Sequence, residues 1–409
     1  MARISGTRNQ DMKIISLVCF PHMMSHMYWL VIPPMFPILK QVFSLNNTEA
    51  GLIVSVFAAA TTIAQTPVGF LVDRIGARAV LICGLAIEGA AIGAFGLVGE
   101  YWHMLPLAFV AGLGHTVFHP ADYAILSARV SESRMGRAFS LHSASGYVGF
   151  AIAPIYMVWV AHEWGWRTSF LSIGAIGVVA ALILLTQSRL LNDLSENRVE
   201  VTPNAPPSNA AEPETLSDGI RLLFTLPILM CFLYFVLHQM GGGGLRSFLV
   251  VALGDLHGTP ALDAAKALSA FTVGSVVGIL SGGYVADRFG PRITTAFATL
   301  VPAAILIALL GSVDIRGTLL IAALALSGFL IGLLIPSRDL LLRSVTPPGS
   351  MGKVMGFAST GSNLGGALIP VVIGYAMDTA GPEWLFWISA SFIAAAFLTF
   401  ITARSKYGG

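Results

Sequence analysis

The chain has 409 residues, of which 55% are hydrophobic and 11% are charged, and its formal net charge is +2. Soluble proteins carry roughly 25% charged residues, so this composition excludes a soluble enzyme of ordinary make-up. The small net charge excludes nucleic acid as a partner, because nucleic-acid binding needs a strongly basic face. The three cysteines, Cys19, Cys83 and Cys231, lie in apolar segments without metal-ligand spacing, which indicates buried thiols and no disulfide chemistry.

Apolar runs separated by charged residues, Gly and Pro predict twelve membrane-spanning helices, since a helix needs about 20 residues to cross the hydrocarbon core. The predicted spans of the first half are 14–39, 48–72, 79–99, 103–128, 138–160 and 168–187. Those of the second half are 222–252, 264–286, 293–311, 317–343, 354–377 and 384–403. The first run lacks a small-residue cleavage site, so we expect a retained helix there and not a signal peptide. The predicted fold class is an all-α polytopic membrane protein.

Basic residues are distributed unevenly between the two sides of the predicted membrane. If the N-terminus is cytoplasmic, most of the 23 Lys and Arg residues fall on the cytoplasmic side, as the positive-inside rule requires. Near residue 188 the sequence turns polar and includes the run TPNAPPSNAAEPE, whose apolar surface is too small to order it. We therefore predict a six-helix bundle over 1–187, a cytoplasmic linker over 188–220 and a second six-helix bundle over 221–409. Both termini are expected on the cytoplasmic side of the cytoplasmic (inner) membrane.

The two halves carry the same charged loop at a nearly constant offset. After the second span this loop contains Gly69, Asp73, Arg74, Gly76 and Arg78, and after the eighth span it contains Asp287, Arg288, Gly290 and Arg292. Pro120 and Pro336, and His22 and His238, also correspond in the two halves. The chain is therefore predicted to consist of two pseudo-symmetric six-helix halves. Transporters built from such repeats bind their substrate between the repeats, near the membrane midplane.

These loops, together with the spans and the linker, resemble the major facilitator superfamily of twelve-helix type over essentially the whole chain. His22, His26, the run 66–74 and the Phe118-His119-Pro120 triplet are similar to the fosmidomycin-resistance-like, drug:proton antiporter-like branch. The resemblance implies a central cavity lined by spans one, four, seven and ten. It also implies that the charged loops stabilise the outward-open state.

The loop chemistry independently suggests a conformational latch. A carboxylate at a helix end, such as Asp73 beside Arg74, can hold an ion pair or a neighbouring helix N-terminus in one conformation and release it in another. We assign this role to the nine loop residues named above. A simple cytoplasmic turn is the alternative.

Ionisable side chains inside the spans are candidates for proton coupling, because each costs about 2.5–3.5 kcal/mol at a helix centre. His115, His119 and Asp122 follow one another at i, i+4 and i+7, which predicts one helical face. Histidine has an ordinary pKa near 6.5, so an imidazole beside a carboxylate can bind and release protons. We predict coupling by Asp122 with His119, and by Glu88 as a second protonation site or a polar helix contact. The proton gradient is the expected energy source, with no cofactor; the alternative is that the histidines only form structural hydrogen bonds.

Other residues inside the spans are candidates for substrate binding. They are His22, His26, Tyr28, His115, Tyr123, His142, His238, Arg246 and Arg338. Arg246 follows the run Gly241–Gly244, where we expect the helix to unwind or hinge. Arg338 is the repeat equivalent of Asp122, so these two are expected to face a shared cavity, although pairing of Arg338 with Asp339 is an equal alternative. An Arg fork suits a carboxylate, phosphate or phosphonate.

A metal site is the competing interpretation of the fourth span. His115, His119 and Asp122 offer three ligands on the predicted face, but no Cys and no second carboxylate cluster accompany them. We therefore predict no metal and keep transport of a metal or a metal chelate as an alternative.

The sequence also departs from the proton-linked drug exporters, because Ala108 and Ala153 stand where that pattern has Arg and Gly.

We predict a proton-coupled secondary transporter that moves a small amphipathic or anionic organic solute by alternating access, and exports it by antiport. Uptake of an organic anion by symport is the alternative. The expected partners are a small-molecule substrate, protons and the lipid bilayer around a monomer. An enzyme or sensor is not expected, because the polar groups lie at mid-depth and no signalling domain fits; the duplicated latch disfavours a channel.

Overall fold

The computed structural model describes residues 8–131, 134–191, 221–347 and 351–404. These residues form helices and connecting turns, without a strand. Twelve helical segments are long and apolar enough to cross a membrane, and they coincide with the twelve predicted spans apart from shifts at their ends. The predicted all-α polytopic fold class is therefore confirmed.

The described first half contains eight α-helices in six spans. They are α1 (Arg8–Trp29), α2 (Phe36–Phe43), α3 (Asn47–Ile75), α4 (Ala77–Ala94), α5 (Met104–His115), α6 (Phe118–Arg129), α7 (Met135–Trp164) and α8 (Trp166–Thr186). The helices α1 and α2 are joined by a 3-10 turn at Pro33–Met35 and form the first span. The fourth span is interrupted between α5 and α6. A 3-10 helix at Ser188–Leu191 follows α8, and the rest of the predicted linker lies outside the described residues.

The described second half contains six α-helices, one for each span. They are α9 (Leu226–His257), α10 (Ala261–Phe289), α11 (Ile293–Leu310), α12 (Gly317–Ser344), α13 (Met351–Ala380) and α14 (Trp384–Arg404). Because the number of spans is even, α1 begins and α14 ends on the same side, which we call the terminal face. The other side is called the opposite face.

Local signals explain where several helices begin and end. The side chain of Asn46 accepts a hydrogen bond from the backbone N–H of Glu49 (2.8 Å), and the Glu49 carboxylate accepts one from the backbone N–H of Asn46 (3.0 Å). This capping box satisfies donors that the first turn of α3 leaves free. Gly76, after α3, and Gly290, after α10, have φ values of 93° and 65°, a region that favours glycine. Both copies of the charged loop therefore turn at a glycine.

The run Gly241–Gly244 does not break its helix, so the predicted unwinding is wrong. The helix α9 is continuous through these glycines. A Cβ at Gly241 would lie 2.6 Å from a side-chain carbon of Ile393, and one at Gly244 would lie 3.0 Å from Ser389 Oγ. The glycines therefore let α9 and α14 pack closely, which stabilises a continuous helix.

Glycines also explain the close packing of α10 against α12. Gly274, Gly278 and Gly282 recur every four residues on α10, and Gly328 and Gly332 do so on α12. A Cβ at any of these positions would collide with a backbone carbonyl of the other helix. Helices in a bilayer gain association energy from such close backbone approach.

The two halves are joined at the opposite face by polar contacts. The Asp378 carboxylate, near the end of α13, accepts hydrogen bonds from the backbone N–H groups of Asn47 and Thr48 at the start of α3, each 2.8 Å long. It also accepts from Asn47 Nδ2 (2.8 Å) and Thr48 Oγ1 (2.7 Å). Lys40 Nζ lies 3.4 Å from Asp255 Oδ2 on the same side. Asp378 thus places a negative charge at the N-terminus of a helix from the other half, where such a charge is stabilised.

Candidate functional site

A cavity of about 380 Å³ lies between the two halves. Its ionisable, amide and phenol side chains are His26, Gln65, His115, His119 and Tyr147 from the first half, and His238, Gln239, Arg246, Arg338 and Asn363 from the second half. Spans one, four, seven and ten all contribute to this lining. The cavity therefore lies where the internal repeat and the family resemblance predict a site.

Asp122 lies behind the cavity wall and forms a compact group with two histidines. Its side chain is fully buried, and Oδ2 lies 2.9 Å from His142 Nε2 and 3.1 Å from His22 Nδ1. The rings of His22 and His142 stack with centroids 3.6 Å apart. Asp122 Oδ1 has no hydrogen-bond partner in the described structure. We call His22, Asp122 and His142 the buried triad; they come from α1, α6 and α7.

The predicted partner of Asp122, His119, occupies a different place. Its ring centroid lies 5.2 Å from that of His22 and 6.0 Å from that of His26. Both His26 and His119 line the cavity, so a row of imidazoles leads from the cavity to the buried triad. Gly146 makes room for this row, because a Cβ there would lie 2.9 Å from atoms of His22 and His26.

The buried triad also bears on the metal alternative. The ligand atoms of its three residues lie within 4.8 Å of one another, whereas the set proposed from the sequence, with His115 and His119, is not brought together. Of the two imidazoles only that of His142 is hydrogen-bonded to Asp122; His22 Nδ1 lies 3.1 Å from the same oxygen without a hydrogen-bond partner in the described structure. The prediction that this protein holds no metal stays a prediction.

Glu88 and His115 form a second carboxylate–imidazole pair. Glu88, on α4, is fully buried, and its Oε1 lies 3.0 Å from His115 Nδ1. The other oxygen, Oε2, is buried without a hydrogen-bond partner in the described structure. His115 lines the cavity and Glu88 lies behind it. His115 therefore contacts the carboxylate of Glu88, whereas Asp122 contacts the imidazole of His142. The predicted continuous helical face of His115 and Asp122 is not formed, because α5 ends at His115 and α6 begins at Phe118.

Arg246 brings a positive charge to the cavity without a carboxylate beside it. Its Nη2 donates a hydrogen bond to Gln239 Oε1 (3.1 Å), and no Asp or Glu among the described residues pairs with it. Gly242 leaves space for the guanidinium, since a Cβ there would lie 3.3 Å from Nη1. A charge within a membrane protein is normally compensated, so Arg246 is suited to bind an anionic ligand.

Arg338 also lines the cavity, but its charge is compensated. Its Nε and Nη2 donate to Asp339 Oδ1 at 2.9 and 2.8 Å, and its guanidinium lies 4.1 Å from the ring centroid of Phe235. The pairing with Asp339 is therefore present, although Arg338 lines the cavity and is not only a cytoplasmic anchor, as that alternative held. The expectation that Arg338 and Asp122 face one cavity is wrong, because Asp122 is enclosed by α1, α6 and α7.

The remaining predicted binding residues lie in different environments. His238 lines the cavity and stacks on Tyr234 with ring centroids 5.6 Å apart. Tyr28 is fully buried, where its hydroxyl donates to the carbonyl of Ile173 (3.0 Å). Tyr123 packs beside His119, outside the cavity lining. Tyr28 is thus placed for helix packing, and His238 for ligand contact.

Three amides in the cavity, Gln65, Gln239 and Asn363, were not predicted. Asn363 Nδ2 donates to Gln65 Oε1 (2.9 Å), which joins α3 of one half to α13 of the other inside the cavity. An uncharged amide within an apolar span is the signal that would have identified them, because it too is costly to bury.

The latch residues are only partly described. The side chain of Asp73 lies outside the described structure, so the predicted pairing across this loop stays a prediction. In the second copy Asp287 is exposed, and the guanidinium groups of Arg288 and Arg292 lie 5.7 and 5.6 Å from the ring centroid of Phe289.

Comparison with known proteins agrees with this architecture. The family model of the Major Facilitator Superfamily matches residues 18–266 and 231–408. The chain belongs to the major facilitator superfamily. It is a transporter of small solutes and not an enzyme, and the resemblance seen in the sequence is confirmed.

Individual relatives cover nearly the whole chain. The fosmidomycin resistance protein of Escherichia coli strain K12 is 23% identical over 397 residues, which are 96% of this chain and 93% of that protein. The D-galactonate transporter of Escherichia coli O6:H1 is 24% identical over 86% of each chain. A bacterial homolog of the human lysosomal transporter Spinster, in an inward-facing and unoccupied conformation, superposes with a TM-score of 0.80 at 16% identity and covers 98% of both chains. The last similarity shows the fold.

Proposed function

We propose that this superfamily member is a proton-coupled transporter of a small organic anion across the cytoplasmic membrane. The observation that carries the proposal is the unpaired guanidinium of Arg246 in a cavity whose other wall bears imidazoles backed by two buried carboxylates. One wall can thus bind a negative group while the other binds protons. The small-solute names of the two relatives, a galactonate transporter and a fosmidomycin resistance protein, are compatible with such a ligand.

The charge of Arg246 supports an anionic substrate. Coulomb interactions are stronger in a cavity of low dielectric constant than in water. A carboxylate or phosphonate that reaches Arg246 forms charge-assisted hydrogen bonds there and replaces water. A cationic solute would have to lie against this unpaired positive charge, which disfavours it.

The proton path is proposed to run through the imidazole row to the buried triad. Asp122 is the proton acceptor, with His142 and His22 as its direct neighbours. His119 and His26 connect this group with the cavity. Glu88 with His115 is a second proton-binding pair, so the proton gradient supplies the energy and no cofactor is required.

The two-half architecture supports alternating access. The contacts of Asp378 and Lys40 close the opposite face, and we assign the terminal face to the cytoplasm on the distribution of basic residues. We accordingly propose that the cavity exchanges its solute with the cytoplasm in this conformation. The two charged loops then stabilise the outward-open conformation as latches.

The cavity is compatible with transport in either direction. Export by antiport is our proposal from the resemblance to the fosmidomycin-resistance-like branch. Uptake by symport is the second candidate, favoured by Arg246: an anion and a proton attract one another in the cavity, so each promotes binding of the other.

Proteoliposomes that contain a pH indicator test the proposal and separate the directions. A panel of gluconate, hexanoate and methylphosphonate is added outside vesicles at uniform pH. When the acid is added outside, antiport predicts alkalinisation of the lumen, because protons leave as the acid enters. Symport predicts acidification of the lumen, because protons enter with the acid, and protein-free vesicles give the baseline for passive entry of undissociated acid. Saturable acid flux without proton movement above this baseline would contradict proton coupling.

A further inference from the structure

Three amide side chains of the cavity, Gln65, Gln239 and Asn363, carry hydrogen-bonding atoms that have no role in the proposed anion and proton binding. Gln65 Oε1 is occupied by Asn363, and Gln239 Oε1 is occupied by Arg246. The amide N–H groups of Gln65 and Gln239 and the Oδ1 atom of Asn363 have no other hydrogen bond within the described part of the chain. The cavity therefore offers two amide donors and one amide acceptor to a ligand.

The hydroxyl groups of the cavity add further acceptors. Each of four hydroxyls donates its hydrogen to a carbonyl of its own helix: Thr61 to Phe57 (3.0 Å), Thr116 to Leu113 (2.6 Å), Thr272 to Leu268 (3.2 Å) and Ser275 to Phe271 (2.9 Å). A hydroxyl that has used its one hydrogen retains acceptor capacity. The lining thus contains both groups that donate and groups that accept hydrogen bonds.

The balance of charge limits the ligand to one strong anionic group. Arg338 is compensated by Asp339, which leaves Arg246 as the cation of the described lining without a carboxylate partner. A volume of about 380 Å³ lies at the small end of the range of about 300–1,000 Å³ for small-molecule sites. A compact monoanion therefore matches both charge and size.

We propose that the ligand is a small hydroxylated organic acid, with its acid group on Arg246 and Gln239 and its hydroxyls on the Gln65–Asn363 pair. This inference rests on the proposed function, namely that the cavity binds an organic anion. Hydroxyl groups both donate and accept, so they match the mixed lining. An unsubstituted carbon chain would displace water and leave these amides without partners, which costs binding free energy.

The Gln65–Asn363 pair is the specificity-determining element in this account. It joins α3 and α13, so a ligand whose hydroxyls bind the free N–H groups of Gln65 and the free Oδ1 atom of Asn363 contacts both halves. Trp29, Phe150 and Phe271 provide apolar surface for the carbon skeleton. This apolar surface alone would accept a plain fatty acid equally well, and the test must therefore compare matched acids.

Isothermal titration calorimetry on the purified full chain makes this comparison. Gluconate and hexanoate form one matched pair, and glycerate and propionate form another, with equal charge and carbon number; sorbitol is the uncharged counterpart of gluconate. We expect at least one hydroxy acid to bind about tenfold or more tightly than its plain partner, and sorbitol to bind more weakly than gluconate. Plain acids that bind as tightly as their hydroxy partners would overturn the inference.

Two variants assign the discrimination to the amide pair. Gln65→Leu and Asn363→Leu are each expected to remove most of the preference for the hydroxy acid and to leave the affinity for the plain acid within about twofold. Thermal melting of each variant shows whether it is folded, and Ser312→Ala, at an exposed turn, is the control. Equal weakening of both acids in a folded variant would overturn the assignment.

The outcomes also separate this inference from the proposed function. If hydroxy and plain acids bind with equal affinity and Arg246→Gln abolishes the binding of both, the proposed anion site is supported and the proposed preference for hydroxyl groups is wrong. If neither acid series binds and tetraphenylphosphonium does, the proposed transport of an organic anion is wrong as well.

Discussion

Arg246 is the residue on which the anionic substrate depends. Its guanidinium has an amide partner, Gln239, and no carboxylate in the described structure. In contrast, Arg338 is held by Asp339. The two arginines, which the sequence suggested as equivalent candidates, therefore differ in what they offer to a ligand.

We expect Arg246→Gln to weaken binding of the tightest organic acid by about tenfold to a hundredfold, because a hydrogen bond to a charged group is worth about 1.5–3 kcal/mol. Calorimetry on the purified protein measures this change. Arg316→Gln is the matched control, since Arg316 is exposed and pairs with Asp314 at the opposite face. Equal affinities for the variant and the wild type would show that the anion binds elsewhere.

Residue types were easier to predict than residue partners. The sequence identified the intramembrane histidines, Asp122, Glu88 and Arg246 because charge inside an apolar span is costly. It paired Asp122 with His119 from helical spacing alone, whereas the bonded partner, His142, comes from another helix. Spacing along one helix carries no information on a side chain that a neighbouring helix contributes.

At the scale of single helices, glycine contacts set how closely the spans pack. A Cβ at Gly112 on α5 would collide with the carbonyl oxygen of Phe57 on α3 and would lie 2.8 Å from Ala60 Cβ. Gly356 on α13, by contrast, has no heavy atom within 4 Å of such a Cβ. These two helical glycines therefore form a matched pair for substitution.

We predict that Gly112→Ala lowers the melting temperature of the purified protein, because overpacking of this kind costs about 1–3 kcal/mol. The same change at Gly356 should be neutral or slightly stabilising, because alanine favours the helix. Thermal melting by intrinsic fluorescence measures both. A variant at Gly112 that melts with the wild type would show that α3 and α5 do not pack as described.

Hydropathy was sufficient to predict the spans, since a continuous apolar run of this length has no other stable environment. It was not sufficient for Gly241–Gly244. A glycine run can either break a helix or admit a neighbouring helix, and which occurs depends on α14, more than a hundred residues further along the chain. The break between α5 and α6 was likewise not located by the pattern.

At the scale of the whole molecule, Asp378 forms the main polar contact between the two halves at the opposite face. Its carboxylate accepts four hydrogen bonds from Asn47 and Thr48 of the other half. The internal repeat predicted two halves and a site between them, but it could not predict at which face the halves are in contact, because the proposed alternating access requires the same sequence to adopt both states.

We expect Asp378→Asn to shift the protein towards a conformation that is open at the opposite face, since the amide loses the charge and one acceptor group. Spin labels at Val42 and Asp263, which are exposed on different halves at that face, would report a longer distance or a second, longer population. The control is Asp314→Asn, which alters contacts within one half at the same face. Identical distance distributions for Asp378→Asn and the wild type would contradict this role.

Proton transfer at Asp122, across the cavity from the anion site, is the central step of the proposed transport. The decisive measurement compares gradient-driven accumulation with solute exchange for Asp122→Asn in proteoliposomes. The solute is the tightest-binding acid of the panel, and the control variant is Glu163→Gln, at an exposed position. We predict that the variant loses at least about nine-tenths of gradient-driven accumulation, as expected when the main proton-transfer group is removed, and retains exchange at equal pH on both sides. Full gradient-driven accumulation by Asp122→Asn would contradict the account.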